Sequence, residues 1–474
     1  MRRFLLTACL LGLLGCPEQD DDDVTDDDDT IGENLDDDDD DDSAAVCETP
    51  FPIRHTADPE AVERGRALLE EGTLGDLLMP AEAIEYLWLT WGTGPLDEAG
   101  IQDGLVERYG FAPAPAGLNG GWPLGLHETA GGFTIGCLAC HADLVAGETV
   151  IGAGSGRIDL EALYDDLVEL RAIAATQGII VPEPPWDLDG LNTAAGAQDA
   201  FGLGMRLSEG FGPDLPINTE YGPQQPAAWW TMQYKDRVYA DGSGQAGGHR
   251  TMAAMLLAFG IGPGSIEARD QDMQDVRAYI LSTEAPAWPF ESPDEDVLAR
   301  GAARYEEQCA GCHGLLCETL APGEYPDRIS NNPGTDRMRA DGFGATEEAW
   351  VNGSWYGAEH PVEATGGYLA PPLMGVWATA PYFHNGSVPT LEGVLFPQTR
   401  PTRWQRTGSG LDDYDPQAVG LRFTTPSQGG SIDTAEGRRV IDTDRPGLSN
   451  VGHNYGTDLP GDDRRALIAW LTSL

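Results

Sequence analysis

Two copies of the pattern Cys-x-x-Cys-His occur in the sequence, in "GFTIGCLACHADL" and "YEEQCAGCHGLL". Two cysteines one helical turn apart, followed directly by a histidine, have the spacing with which c-type haem is attached, because both sulfurs reach vinyl groups while the imidazole binds the iron. The rival interpretations are a redox dithiol, a zinc site and a disulfide. The βαβ context of a redox dithiol and the four closely spaced ligands of a zinc site are not visible in the sequence.

The pattern therefore predicts two covalently bound haem c groups. The predicted attachment residues are Cys137, Cys140, His141, Cys309, Cys312 and His313, with the two histidines as iron ligands.

The second motif ends a helical pattern, "SPDEDVLARGAARYEEQCAGCH", and "ADPEAVERGRALLEEGTLGD" repeats that pattern without its cysteines. Residues 272–283 and 461–474 also share a charge pattern, and each places apolar residues on one helical face. Each half of the chain thus begins and ends with a similar helix, and 61 glycines and 34 prolines indicate long irregular connections. We expect a mainly α fold with little or no sheet, formed by two tandem cytochrome c-like domains at 48–283 and 293–474.

The first fifteen residues have the features of an export signal: Arg2 and Arg3, an apolar run that ends at Leu14, and a small residue before Cys16. This pattern predicts a lipoprotein signal peptide (1–15) with a lipidated Cys16, and an ordinary signal peptide is the alternative. Residues 16–47 include fifteen aspartates between positions 20 and 42, which predicts a disordered tether, with calcium binding as the alternative. We expect a protein of the cell envelope that contacts the membrane only through its lipid anchor.

The formal net charge of −50 argues against nucleic acid as a partner, because nucleic-acid binding depends on neutralising phosphates. A redox partner protein or a small oxidant is compatible with this charge. Of the eight cysteines, Cys47 and Cys317 have no assigned role. They are either joined by a disulfide, as is common in exported proteins, or remain free thiols.

The stretch "APPLMGVWATAPYFHNGSVPTLEGVLFP" and the later "PGLSNVGHNYGTDLP" resemble the second domain of the bacterial dihaem cytochrome c peroxidase superfamily, most closely its rubber oxygenase-like members. The first half resembles the family more loosely, in "GWPLGLHETAGGFTIGCLACHADLVAG" and "PAAWWTMQYKDRVYADG". The resemblance implies a reactive first haem above His141 and an electron-transfer second haem.

The resemblance also implies roles for particular residues. The segment "ATGGYLAPPL" lacks the methionine that ligates the second haem in such peroxidases, and in the oxygenase-like members a late histidine takes its place, which corresponds to His453. His384 would then support the fold or the haem edge. His249 is the histidine in the part of the first half that forms the distal side. Trp229 or Trp230 would lie between the haems, and a place in the hydrophobic core is the alternative.

We therefore expect an exported dihaem c-type cytochrome that acts as an oxidoreductase on peroxide or dioxygen at the first haem, with His249, Trp229 and Trp230 as candidate catalytic residues. The alternatives are an electron-transfer lipoprotein in which both irons are six-coordinate, and an enzyme that oxidises a partner protein or a polymer.

Overall fold

The computed structural model describes residues 51–70, 74–75, 77–183, 192–199, 221–259, 261–316 and 323–474. Its α-helices are α1 (Pro59–Glu70), α2 (Ala81–Ile84), α3 (Leu87–Thr90), α4 (Glu98–Tyr109), α5 (Leu160–Thr176), α6 (His249–Ala253), α7 (Pro263–Glu267), α8 (Asp270–Leu281), α9 (Glu295–Gln308), α10 (Ala310–His313), α11 (Met338–Gly342), α12 (Ala345–Gly353), α13 (Leu391–Leu395), α14 (Ala435–Arg438) and α15 (Gly461–Leu471). Short 3-10 helices occupy Asn119–Gly121, Cys137–Ala139, Met232–Tyr234, Ala254–Phe259, Trp355–Gly357, Val376–Thr379, Pro397–Thr399 and Leu411–Asp413.

The strands are short and pair antiparallel in seven small sheets, in the orders β1-β3-β2, β4-β5, β6-β7, β8-β9, β10-β11, β15-β12-β16 and β13-β14. They are β1 (Leu77–Met79), β2 (Leu126–Thr129), β3 (Gly132–Ile135), β4 (Ala142–Val145), β5 (Glu148–Ile151), β6 (Asn192–Ala194), β7 (Ala197–Gln198), β8 (Arg237–Val238), β9 (Gly244–Gln245), β10 (Ile329–Ser330), β11 (Tyr368–Leu369), β12 (Arg403–Arg406), β13 (Tyr414–Asp415), β14 (Gly420–Leu421), β15 (Phe423–Thr424) and β16 (Ile441–Asp442).

The predicted fold class is wrong. Helices make up 39% and strands 13% of the structure, so the expectation of little or no sheet fails. Two tandem cytochrome c-like domains are not seen either, because Cys47–Leu474 forms one compact unit. The physical reason for the missed sheets is strand length, since two to four residues are too few for an alternating pattern to be read. The individual ranges 48–283 and 293–474 stay predictions. The whole of the predicted signal peptide and tether, including Cys16 and Cys47, lies outside the described residues, as does Cys317.

The repeat in the sequence corresponds to two similar helix pairs. Helix α1 packs against α8, and α9 packs against α15. A glycine allows the close approach in each pair, because a Cβ on Gly65 would lie 1.9 Å from the carbonyl oxygen of Asp275, and one on Gly301 would lie 2.2 Å from that of Ala466. The preceding arginine forms an ion pair across each interface, and in the first pair Arg64 donates to both carboxylate oxygens of Asp275 at 2.7 and 2.9 Å. The two pairs therefore use the same packing device.

The two Cys-x-x-Cys-His motifs lie on different scaffolds. The first motif joins two β-hairpins, because β2 and β3 end just before Cys137 and β4 begins just after His141. The second follows α9 directly and continues into α10. A tight turn at Ala146 and Gly147, both with positive φ, closes the β4-β5 hairpin. The first motif is thus held by sheet, and the second by a helix.

Candidate functional site

Both motifs have the same local backbone geometry. The amide of His141 donates to the carbonyl of Cys137 at 3.0 Å, and the amide of His313 donates to the carbonyl of Cys309 at 2.9 Å. The two cysteines of each motif are also linked by a backbone hydrogen bond, at 3.2 Å in the first and 3.0 Å in the second. Within this single turn both thiols and the imidazole lie close together, as attachment of one haem requires.

The pKa values of the motif cysteines, and whether these cysteines are free, bear on the choice between haem attachment and its rivals. Burial raises the pKa of Cys137 to about 11 and the pKa values of Cys140 and Cys309 to about 12. A redox dithiol depends on a lowered thiol pKa, so these raised values disfavour that interpretation. The four motif cysteines are free rather than joined as disulfides. Partly buried thiols beside apolar side chains fit thioether attachment of a large apolar ring.

His141 lies in an apolar pocket against an aromatic ring. Its imidazole stacks on the indole of Trp229, with ring centres 4.8 Å apart and planes inclined by 25°. Burial lowers the pKa of His141 to about 4, and the carbonyl of Ala227 opposes that shift. Nδ1 of His141 is buried and makes no well-formed hydrogen bond to the described residues. At neutral pH the ring is uncharged, so it presents a lone pair of the kind that binds iron.

His313 has the hydrogen bond expected of an iron-binding histidine. Its Nδ1 donates to the backbone carbonyl of Pro371 at 2.7 Å, which fixes the tautomer and leaves the lone pair on Nε2. Burial is the first cause that lowers the pKa of His313. The hydroxyl of Tyr305 donates to the carbonyl of Gly314 at 2.8 Å and holds the end of α10. The second motif is therefore oriented by contacts from two other segments.

His453 faces His313 across a gap that fits a haem iron. The two ring centres are 6.2 Å apart, with planes inclined by 54°. An iron–nitrogen bond of about 2 Å, followed by about 1 Å from the nitrogen to the ring centre, gives a separation of about 6 Å for two imidazoles on opposite faces of one iron. The observed spacing matches this sum, so the residues present fit the group.

The loop that carries His453 is held in place by several contacts. The amide of His453 donates to the carbonyl of Pro333 at 2.8 Å, and Arg400 donates to the carbonyls of Asn450 and Gly452 at 2.6 and 3.0 Å. His453 has a φ of 48°, which is unusual for a residue with a side chain. Burial, followed by the charge of His313, lowers its pKa to about 4. Its Nδ1 is buried without a hydrogen-bond partner in the described part of the chain.

Trp229 and Trp230 connect the surroundings of the two motifs. Trp229 stacks on His141, while the Nε1 of the next residue, Trp230, donates to the carbonyl of Met374 at 2.8 Å. Met374 lies three residues after Pro371, the acceptor for His313. Both indoles are buried, so the core interpretation and the interpretation that places them between the two sites are compatible.

The remaining histidines lie elsewhere. His249 is placed beside Asp270, with Nε2 3.0 Å from Oδ1, and its described contacts do not reach His141. His384 stacks on Tyr368 at 4.2 Å, and burial lowers its pKa to about 3, in keeping with a role in the fold. His127, to which the sequence assigns no role, lies beside the first motif, with its Nε2 3.5 Å from the position of a Cβ placed on Gly136. Its place in the "LHETAGGFTIG" hairpin was the available signal.

A comparison with known families matches residues 367–405 to the RoxA-like, cytochrome c-like family. The matched stretch contains the first of the segments that carry the resemblance, at 370–397, and it supports a relation to rubber oxygenase-like c-type cytochromes and the binding of haem c. The chain is also similar to two uncharacterized proteins of Sinorhizobium fredii, y4iJ, with 31% identity over 40% of this chain and 41% of that protein, and y4iM, with 29% identity over 50% and 58%. The chain thus spans about half the length of the curated relatives it matches.

In the described part of the chain, none of the helices combines the length and the apolar character needed to cross a membrane.

Proposed function

We propose that the protein is a dihaem c-type cytochrome and an oxidoreductase, with a reactive first haem at Cys137, Cys140 and His141 and an electron-transfer second haem at Cys309, Cys312 and His313. The observation that carries the proposal is the 6.2 Å separation between the rings of His313 and His453, which suits one iron ligated on both faces. A bound haem c supplies an iron that changes oxidation state and, where one axial position is free, takes peroxide or dioxygen as reactant.

The two sites differ in what opposes the motif histidine. His313 has His453 opposite it, whereas the described residues place no second histidine ring against His141, whose face is covered by the stacked indole of Trp229. Two imidazoles close both axial positions and favour electron transfer, while a single imidazole leaves a position for a reactant. This asymmetry supports a division of labour between the sites.

The chain provides a short route between the sites. Trp229 contacts His141, the peptide bond leads to Trp230, and the hydrogen bond from Trp230 to the carbonyl of Met374 leads towards Pro371 and His313. Both indoles are buried, so this part of the route lies away from solvent. The route supports the transfer of electrons from the second site to the first.

A lipid anchor at Cys16 and an aspartate-rich tether, with calcium binding as a secondary property of the aspartates, complete the proposal. The anchor places the protein at the cell envelope, where a redox partner protein or a small oxidant is accessible. The acidic surface favours a basic partner, because opposite charge speeds association.

Two measurements on the purified protein test the proposal. A pyridine haemochrome assay should give two haems per chain, and a ratio of one or none would overturn the dihaem assignment. A titration of the ferrous protein with carbon monoxide should bind one equivalent per chain, and hydrogen peroxide or dioxygen should perturb the same haem. If carbon monoxide does not bind, both irons are closed and the protein is an electron carrier rather than an oxidase or peroxidase.

A further inference from the structure

A second group of metal-ligating side chains lies apart from both motifs. His249, Glu359 and His360 each offer one ligand atom, and these atoms lie within 4.8 Å of one another. His249 begins α6 and is buried, while Glu359 and His360 follow the 3-10 helix Trp355–Gly357. We propose that these three residues bind a divalent transition-metal ion of the zinc class.

The ligand set selects the chemistry of the ion. Two imidazoles and one carboxylate suit zinc and neighbouring first-row metals, whereas calcium takes six to eight oxygen ligands, and this group offers one carboxylate. In a tetrahedral zinc site the ligand atoms lie about 3.4 Å apart, given metal–ligand bonds of about 2.1 Å. The side chain of Glu359 is 47% exposed and is paired with Arg250, so it can rotate towards the two imidazoles once a cation replaces that partner.

A second, independent observation points to a ligand here. Nδ1 of His360 is buried and lacks a hydrogen-bond partner among the residues described, which is costly for a polar atom unless something binds it. His249 is also held as metal-binding histidines are, because a carboxylate oxygen of Asp270 lies 3.0 Å from its Nε2. Acceptance of the Nε2 proton by Asp270 leaves the lone pair on the other ring nitrogen.

The ion has a local competitor. Arg250 lies 2.7 Å from Glu359 and 2.8 Å from Asp270, so it pairs with both carboxylates when no ion is bound. A bound cation takes over Glu359, and Arg250 retains Asp270. Competition from Arg250 lowers the affinity for the ion. Replacing Glu359 should nevertheless not destabilise the metal-free protein, because Arg250 keeps Asp270 as a partner.

The site joins segments that are far apart in the sequence. His249 belongs to 48–283 and the other two ligands to 293–474, so a bound ion fixes α6 to the loop after Trp355–Gly357. The ion would therefore stabilise the packing of these segments, independently of any haem.

Equilibrium dialysis of the haem-loaded full-length protein against zinc ions, followed by elemental analysis, tests the site. All proteins are first treated with chelator. The wild type should then bind one more zinc ion per chain than His360→Gln does. In Glu359→Gln the dissociation constant of that ion should rise at least about tenfold. Glu363→Gln is the matched control, because Glu363 also pairs with an arginine, Arg237, at 2.6 Å. The difference between variants separates this ion from any held by the aspartate runs.

Absorption at the zinc edge should show two imidazole ligands in the wild-type protein, and the variants should keep the haem spectrum and the melting temperature of the chelated wild type. Equal zinc binding by wild type, His360→Gln and Glu359→Gln would overturn the proposal, as would equal loss in Glu363→Gln or a zinc spectrum without nitrogen ligands.

Discussion

Replacing His453 with alanine is the most direct test of the second site. The 6.2 Å between the ring centres of His313 and His453 leaves space for one iron with two bonds of about 2 Å, so removing one ring opens one axial position. With two haems per chain, the haem at Cys309 and Cys312 should change from low spin to high spin while the other keeps its spectrum. Its potential should rise, because a ligand that favours ferric iron is lost.

The burial of His453 also sets its response to acid. Its pKa of about 4, against 6.5 for an exposed histidine, means that protonating the ring in place costs about 3 kcal/mol more than in water. The low-spin signal of the wild-type protein should therefore persist at pH 5, where an exposed histidine is mostly protonated. Because iron binding occupies the lone pair that a proton would take, the signal should also persist below the pKa of the free ring.

Electron paramagnetic resonance and the visible spectrum measure the spin state, and redox titration measures the potential. His384→Ala is the matched control, because it removes another deeply buried histidine that stacks on Tyr368 instead of facing a motif. Added imidazole should restore the low-spin signal of His453→Ala. A full low-spin signal in His453→Ala without added imidazole would refute the assignment, and loss of that signal in His384→Ala alone would make His384 the ligand.

Three further outcomes follow from the contacts described above. Trp230→Phe removes the hydrogen bond to the carbonyl of Met374 while keeping an aromatic ring, so it should lower the free energy of unfolding in urea by about 1–3 kcal/mol. It should also slow electron transfer between the haems, measured after flash photolysis, and an unchanged rate would exclude this route. Gly301→Ala places a Cβ 2.2 Å from a backbone oxygen and should destabilise the protein by about 1–3 kcal/mol, whereas Gly264→Ala, with no atom within 4 Å, should not. Burial lowers the pKa of His384 to about 3, so the unfolded chain binds a proton at this residue first as the pH falls below 6.5, and its contribution to stability should drop by about 2 kcal/mol between pH 7 and pH 5. In urea unfolding, the total loss of stability over this range should be smaller by about 2 kcal/mol in His384→Gln than in the wild type.

Helices whose pattern lies within one segment of the chain can be predicted from the sequence. The helical patterns at 272–283 and 461–474 correspond to Asp270–Leu281 and Gly461–Leu471, and the pattern before the second motif corresponds to Glu295–Gln308. Each of these helices has an apolar face that spans several turns, so the period of 3.6 residues is visible. The hairpins around the first motif have strands of four residues, in which that period and the alternation of a strand cannot be distinguished.

Contacts between distant segments were beyond the reach of these patterns. The stacking of Trp229 on His141 and the cluster of His249 with His360 each join residues from separate loops and helices, and loop conformation decides them. The assignment of His453 came from a family resemblance, and residue spacing would not have distinguished it from His384. Both histidines are buried, and only the positions of their neighbours, His313 for one and Tyr368 for the other, separate a candidate ligand from a structural residue.

Comparison of the two helix pairs shows that the helices pack in the same way with and without a Cys-x-x-Cys-His motif. The pair α1 and α8 keeps the glycine contact and the arginine–aspartate pair of α9 and α15, although α1 carries no motif. The first motif instead lies between two hairpins, and its backbone nevertheless makes the same hydrogen bonds as the second motif. Five residues that form one turn are therefore sufficient to define the attachment geometry, so the motif can occupy a hairpin junction as well as a helix end. The helix pair persists without it because the apolar packing of Leu69, Met273 and Val276, at the close approach that the glycine allows, does not depend on a haem.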